Sequence, residues 1–185
     1  MPDTLFAIFI SLLMSGDLLF VSDTSGMGSA VKETTGQYTH VAMIERVATP
    51  TGDSIFIIDA TQRHGVARRP IGNTYVARMP RQLLSVYRLT IPFDTTAVIA
   101  RAKTLVGLPY DDWFLPRNGR YYCSELIQES YGLFDSAPMN WRNAEGEIPA
   151  YWKQHFERLG ATIPEGVPGT NPTDLSRSPL LRKIL

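Results

Sequence analysis

The stretch "THVAMIERVATPTGDSIFIIDAT", residues 39–61, contains two β-rich runs with a Pro/Gly-containing segment between them. The runs 39–47 and 54–61 are rich in Val, Ile, Phe and Thr, which favour strands, and "ATPTGD" between them is typical of a turn. The stretch therefore predicts a β-hairpin. His40 stands near its beginning and Asp59 near its end.

Outside the hairpin, further strands are predicted in the first half of the chain and helices in the second half. The first predicted helix has Asp94 or Thr95 as its cap and Gly107 as its stop, and Pro149 opens the last one. We expect an α+β fold in which an antiparallel sheet packs against helices, and a single domain over residues 1–185, because no linker divides the chain. The predicted strands are 17–23, 65–71 and 83–90, the predicted helices are 93–107, 124–132 and 149–160, and a last turn is predicted within 176–185.

Composition and charge exclude several classes of protein. The chain has 185 residues, of which 44% are hydrophobic, so it can bury a core of ordinary size. Lys and Arg together number 18, as do Asp and Glu, so no net charge attracts nucleic acid or anionic lipid. We therefore expect no nucleic-acid partner.

The apolar run "LFAIFISLLM", residues 5–14, has two interpretations. It is too short to be a transmembrane segment. A secretory leader would have basic residues before it and small residues after it, whereas Asp3 precedes the run and Gly16-Asp17 follows it. A packed helix and a leader remnant both stay open for residues 1–14.

The segment "GRYYCSELIQESYG", residues 119–132, contains the only cysteine in the chain, Cys123, at the predicted start of a helix. The positive end of the helix dipole favours a thiolate, and the free backbone N–H groups there suit the oxyanion of a tetrahedral intermediate. The alternative is that Cys123 is a buried packing residue, which is common for a free cysteine. Ser124 is expected to form a hydrogen bond at the helix start.

Three histidines are candidates for a base that acts on Cys123. His155 lies in the middle of a predicted helix and suits the surface or the core, and His64 lies on a predicted turn. His40 begins an apolar strand, where it is either a satisfied strand-end side chain or a general base. Three scattered histidines and one cysteine match no known metal-ligand spacing, so we predict neither a metal nor a cofactor.

Several motifs, in chain order, carry a family resemblance that covers nearly the whole chain. The chain resembles the YiiX/YebB-like branch of the NlpC/P60 cysteine hydrolases. The resemblance implies a circularly permuted papain-like fold, in which the strands with the histidine precede the helix with the cysteine. The motifs are "GDLLF" (16–20), "HVAMIE" (40–45), "IIDAT" followed by "GV" (57–66), "GLPYDDWFLP" (107–116) and "YYCSELI" (121–127).

The resemblance also implies roles for individual residues. Cys123 would be the nucleophile, His40 the general base that later protonates the leaving group, and Asp59 the acid that orients the imidazole. Tyr122 would line the site and donate to the oxyanion, with core packing as its alternative. Three other residues are expected near the substrate: Ser124, Tyr110, and Trp141 in the aromatic-rich segment 140–152.

The register of the hairpin favours Asp59 over Glu45 as the orienting acid. If residues 49–52 form the loop, Ala42 stands opposite Asp59, and Asp59 then shares a face with His40. Glu45 points to the opposite face. A shift of one residue would reverse these faces, so the prediction depends on the turn.

The expected activity is cleavage of amide bonds through a thioester, most directly in cell-wall stem peptides, as the resemblance implies. A lipid acyl hydrolase or acyltransferase with the same triad is the first alternative, and a non-catalytic ligand-binding domain is the second. The expected partner is a peptide, amino-acid or lipid-like small molecule, and the oligomeric state stays open. The expected location is the bacterial cell envelope or periplasm, with the cytoplasm as the alternative.

Overall fold

The structure, a computed structural model, describes residues 4–24 and 26–185. In this part of the chain, six strands form one antiparallel sheet with the order β4-β3-β2-β1-β5-β8, and β6 and β7 form a small separate pair. The strands predicted from the sequence correspond to β1–β5, which confirms the α+β class with an antiparallel sheet. The strands are β1 (Leu18–Val21), β2 (His40–Thr49), β3 (Gly52–Thr61), β4 (Gly65–Pro70), β5 (Leu84–Leu89), β6 (Ala137–Pro138), β7 (Pro168–Gly169) and β8 (Leu181–Lys183).

Both faces of the sheet are buried. On one face Val41 and Met43 of β2 pack in a cluster with Leu126, which belongs to a helix. Ala42 and Ile44, the alternate residues of the same strand, belong to a second cluster on the other face. Burial on both faces explains why β2 is almost continuously apolar. The helices are α1 (Thr4–Ser11), α2 (Met27–Thr35), α3 (Thr95–Thr104), α4 (Cys123–Tyr131), α5 (Ala150–Arg158) and α6 (Pro172–Ser176).

The caps of α3 and α4 are close to those predicted. The Asp94 carboxylate accepts a hydrogen bond from the Ala97 N–H and so caps α3. Gly132 ends α4 in the left-handed conformation, which glycine adopts without a steric penalty. The predicted stop of α3 at Gly107 is wrong, because the helix ends at Thr104 and the chain continues as a turn.

The hairpin between β2 and β3 has the predicted register. Ala48 pairs with Asp53 and Met43 pairs with Ile58. Continuing this register places Ala42 opposite Asp59, as expected. His40, the first residue of β2, therefore lies on the same face of the hairpin as Asp59.

The N-terminal run forms α1, and its apolar side chains are divided between core and surface. Phe6, Phe9 and Ile10 pack against the second cluster, as expected for a packed helix, while Ile8 and Leu12 are about half exposed. Among the residues that the structure describes, no helix combines the length and apolar character that a bilayer span requires.

Two parts of the chain differ from the sequence prediction. The C-terminal segment, predicted as a last turn, contributes β8, which pairs with β5 at the edge of the sheet. The helix α2 was not predicted, because "MGSAVKETT" is short, contains Gly and Thr residues of low helix propensity, and begins after a glycine without a side-chain cap. Ala30 is its fully buried residue.

Gly65 fixes how the loop before α4 meets the sheet. The Val66 N–H donates to Leu108 O at 2.9 Å, and the Gly107 N–H donates to Val66 O at the same distance. Gly65 has a φ of +61°, and a Cβ atom there would lie 2.4 Å from Leu108 O. No other residue type fits this contact without displacing the backbone.

We predict that Gly65→Ala lowers the free energy of unfolding by about 2 kcal/mol or more, because it adds a left-handed penalty to a backbone clash. Gly72→Ala is the matched control, since a Cβ atom there meets nothing within 4 Å. It should change stability by less than about 0.5 kcal/mol. Urea unfolding measures both, and equal midpoints for the two variants would contradict this account of Gly65.

Candidate active site

Cys123 is the first residue of α4, and its side chain is 7% exposed. Tyr122, which precedes it, has an extended backbone, and its side chain accepts no hydrogen bond from the first turn of α4. The first backbone N–H groups of a helix have no acceptor within the helix. The sulfur therefore stands beside donors that suit a developing negative charge.

His40 connects Asp59 to Cys123. Its Nε2 atom lies 3.1 Å from Asp59 Oδ2, and its side chain is 19% exposed. Because Asp59 occupies Nε2, Nδ1 is the ring nitrogen that remains to interact with Cys123, whose sulfur is close enough to affect the charge of the imidazole. The structure thus brings the three predicted residues together in one series, Asp59, His40 and Cys123.

The imidazole of His40 is held in its charged form. Burial opposes the charge, but the negative Cys123 sulfur and the hydrogen bonds to Asp59 and Cys123 outweigh it and raise the pKa of His40 from 6.5 to about 10. The imidazole therefore places a positive charge beside the sulfur at neutral pH. A cationic neighbour of this kind is typical of an activated cysteine nucleophile.

Asp59 is fully buried and accepts hydrogen bonds from three side chains. Besides His40, they are Arg69, whose Nη2 lies 2.6 Å from Oδ1, and Tyr75, whose hydroxyl lies 3.2 Å from Oδ2. Burial alone would raise the pKa of Asp59, but the bonds and charges of His40 and Arg69 lower it below the ordinary value. The acid therefore stays ionised.

Arg69 and Tyr75 were missed from the sequence. Asp59 pairs with Ala67 across β3 and β4, so Arg69 is the diagonal neighbour of Asp59 on the same face. Working out the register of this second strand pair would have identified Arg69. Tyr75 lies in a short 3-10 turn after β4, and no sequence pattern indicates its contact with Asp59.

Glu45 lies away from this series, as predicted. Its carboxylate is 6% exposed and forms ion pairs with Arg68 and Lys103. The neighbouring Arg68 guanidinium lies 3.5 Å from the centre of the Phe56 ring. Glu45 belongs to a structural group of ion pairs, and among the residues that the structure describes it forms no hydrogen bond with His40.

A cavity of about 390 Å³ opens beside Cys123 and His40. All four residues predicted to be near the substrate line it: Tyr110, Tyr122, Ser124 and Trp141. Most of the remaining wall is apolar. Phe114 belongs to the motif 107–116 and Trp152 to the aromatic-rich segment 140–152, whereas Met27 and Val31 of α2 and Met139 come from segments that the sequence did not single out.

The side-chain hydroxyls of Tyr122 and Ser124 differ from their predicted roles at the oxyanion and at the helix start. The Tyr122 hydroxyl accepts the Thr170 N–H at 3.1 Å, and its ring packs 5.1 Å from that of Phe114. Ser124 is fully buried, and its Oγ has no hydrogen-bond partner among the described residues. The expected hydrogen bond of Ser124 at the helix start is therefore wrong, and the residue is instead buried where α4 meets the wall of the cavity.

The loop that precedes α4 is strained. Phe114 and Arg117 adopt left-handed φ angles of 53° and 57°, which cost about 1–3 kcal/mol each for residues other than glycine. Asp111, which is fully buried, offsets this cost. Its carboxylate accepts the N–H groups of Trp113 and Leu115 and the Asn118 side-chain amide at 2.8–3.0 Å.

The other two histidines lie outside the series. His155 is 5% exposed, and its Nε2 lies 2.8 Å from Asp112 O, so it belongs to the core. His64 is exposed on the turn between β3 and β4. In the part of the chain that the structure describes, no group of three or more His, Cys, Asp or Glu side chains is placed to hold a metal ion.

Comparison with known proteins supports this description of the fold. A family model described as a permuted papain-like amidase enzyme, the YaeF/YiiX or C92 family, matches residues 13–185. The crystal structure of the metalloprotein YiiX from Escherichia coli O157:H7 is similar, with a TM-score of 0.74 and 21% sequence identity over 93% of this chain and 96% of that one. No curated protein matches the chain. The permuted papain-like fold predicted from the sequence is confirmed.

We predict that iodoacetamide alkylates Cys123 readily at pH 6.5, because His40, whose pKa is raised to about 10, places a positive charge beside the sulfur at that pH. His40→Ala removes the positive partner and should slow labelling at that pH by about tenfold or more, which corresponds to 1.4 kcal/mol. His64→Ala removes an exposed histidine and should change nothing. Mass spectrometry of the labelled protein against pH measures the rates. Superimposable curves for the parent and His40→Ala would refute the ion pair.

Proposed function

The chain belongs to the C92 family of permuted papain-like amidases, and from this premise we propose that it is a cysteine amidase whose catalytic residues are Cys123, His40 and Asp59. The observation that supports the proposal most directly is the hydrogen bond of His40 to a buried, ionised Asp59, with the pKa of His40 raised to about 10 beside Cys123. A structural histidine would not need this arrangement.

The first half of the reaction forms a thioester. The Cys123 thiolate attacks the amide carbonyl carbon, a C–S bond forms, and the π electrons move to the carbonyl oxygen. The backbone N–H groups at the start of α4 stabilise this oxyanion. The carbonyl then re-forms, the C–N bond breaks, and the protonated His40 gives its proton to the leaving nitrogen.

The second half releases the acid and restores the resting state. The neutral His40 accepts a proton from water as the water oxygen attacks the thioester carbonyl. Collapse of this second intermediate breaks the C–S bond and regenerates the thiolate beside a protonated imidazole. Asp59 fixes the ring orientation and the tautomer throughout, because its bond to Nε2 keeps Nδ1 directed at the reacting atoms.

The cavity favours an apolar acyl group as the part of the substrate next to Cys123. Its lining contains Met, Val, Phe, Tyr and Trp side chains, and within the described residues it contains no Lys or Arg. Cell-wall stem peptides, which the resemblance to NlpC/P60 hydrolases suggested, carry carboxylates that this lining does not match. Stem peptides therefore have less support than amides of apolar acids.

The same lining supports a second candidate function, that of a lipid acyl hydrolase or acyltransferase. This reaction would pass through the same thioester, but it would differ in the bond that is cleaved or in the molecule that accepts the acyl group. An ester instead of an amide would be cleaved, or an alcohol or amine would replace water in the second half. Turnover of matched acyl amides and esters, with and without an added alcohol or amine, distinguishes the candidates.

The thioester itself provides the test of the proposed function. We predict that intact-protein mass spectrometry after incubation with acyl p-nitroanilides shows one added acyl group on Cys123, which hydroxylamine removes. Cys123→Ala should carry no acyl group. Stem peptides tested in parallel decide between the substrate classes. Saturable binding of these compounds with neither adduct nor turnover would instead establish a non-catalytic binding domain.

We predict that Asp59→Asn lowers turnover of a cleaved substrate by at least about a hundredfold, because the amide no longer holds the His40 tautomer or its charge. Glu45→Gln is the matched control, since it makes the same change in a buried carboxylate of the same hairpin that does not contact His40. Its turnover per folded molecule should stay close to that of the parent. Equal losses in the two variants would show that the orienting acid is misassigned.

A further inference from the structure

Phe114 combines a strained backbone with a place in the cavity wall. Its φ is 53°, a conformation that bulky residues rarely adopt, and its side chain is 8% exposed. It lines the cavity that contains Cys123. Because strain of this kind persists only where the surroundings impose it, the side chain at this position needs an explanation.

The surroundings that impose the conformation are hydrogen bonds on both sides of Phe114. The Asp111 carboxylate accepts the Trp113 N–H at 3.0 Å and the Leu115 N–H at 2.8 Å. These two donors flank Phe114 directly in the chain. The buried Asp111 carboxylate thus fixes the backbone on both sides of Phe114. The fixed backbone in turn determines the direction in which the Phe114 side chain leaves the chain.

The ring of Phe114 lies among four other aromatic side chains that line the cavity. Its centre is 6.3 Å from the ring of Tyr110, 5.1 Å from Tyr122, 5.2 Å from Trp141 and 5.7 Å from Trp152, and all four line the same cavity. Removing it would open space between them. The ring therefore occupies space next to the cavity that an enlarged cavity would include.

Phe156 shows that packing alone does not account for Phe114. It belongs to the same aromatic cluster and contacts the Phe114 ring at 6.4 Å. Phe156 sits on the regular helix α5 and does not line the cavity. In this cluster, Phe156 has a regular helical backbone and lies away from the cavity, whereas Phe114 has a strained backbone and lies at the cavity wall.

We infer that Phe114 determines the length of acyl chain that fits beside Cys123, and that Asp111 is the positioning residue that holds it there. The inference rests on the proposed function, because it assumes that an acyl group enters this cavity. It adds a specificity-determining residue to the proposed site: the ring closes the end of an apolar cavity, and its position is set by the strained loop that leads into α4.

The test uses N-alkyl iodoacetamides with chains from two to twelve carbons, which alkylate Cys123 without requiring turnover. In the parent the labelling rate should rise by about fourfold per added methylene, the value expected for burying one methylene, up to a limiting length and then fall. The variants are Phe114→Ala, which removes the ring, and Phe114→Gly, which removes both the ring and the strain. Phe156→Leu is the control for damage to the cluster.

Both Phe114 variants should move the limiting length upward by about two methylenes or more, since a benzyl-sized space opens in the wall. Phe156→Leu should leave the limit where it is. Phe114→Gly keeps the test valid if Phe114→Ala folds poorly, because glycine accepts the backbone angle. An unchanged limit in a folded Phe114 variant, or an equal shift in Phe156→Leu, overturns the inference alone. A parent series with no dependence on length overturns the inference together with the apolar acyl site of the proposed function.

Discussion

Asp59 carries a negative charge without access to solvent, and the arrangement of the site follows from that constraint. An isolated carboxylate in a protein interior would take up a proton instead of staying charged. Arg69 and His40 supply positive charge, and the Tyr75 hydroxyl supplies a further donor. Arg69 comes from β4 and His40 from β2, so all three strands must be in register for the carboxylate to remain ionised.

The same constraint links the two faces of the sheet. Asp59 lies on the face covered by the second apolar cluster, whereas Cys123 belongs to the first cluster, where α4 packs against β2. His40 begins β2 and stands at the end of the sheet, where its ring is within reach of both. The hydrogen-bonded series from Arg69 to the sulfur thus passes around the ends of the strands. The cavity opens at that end, beside Val21, Thr39 and Ala60.

Much of this arrangement follows from local patterns in the sequence. The hairpin register depends on one Pro/Gly turn and on alternation, which together place His40 and Asp59 on one face. The placement of Cys123 at the start of α4 follows from the helix stop at Gly132 and from the order of the motifs in the family that the chain resembles. These features depend on neighbours in sequence or on a single strand pair, where periodicity and turn chemistry are informative.

The parts that were missed depend on contacts between distant segments. Tyr75 reaches Asp59 from a short 3-10 turn, and Met27 reaches the cavity from a short helix without a side-chain cap. The left-handed backbone of Phe114 is held by hydrogen bonds to the buried Asp111 carboxylate, and no local pattern reveals that burial. The tail that forms β8 was missed because an edge strand of three residues gains its hydrogen bonds from a partner almost a hundred residues earlier.

His40 is expected to be protonated at neutral pH because Asp59 and the Cys123 sulfur both lie beside its ring. Nitrogen NMR of the protein with ¹⁵N-labelled histidine tests this claim most directly, since the ring-nitrogen shifts distinguish imidazolium from imidazole. The account predicts that His40 stays an imidazolium until the pH approaches about 10, and that Cys123→Ser lowers its pKa markedly by removing the negative sulfur. A His40 that titrates near its ordinary value of 6.5, and does so equally in Cys123→Ser, would contradict the account.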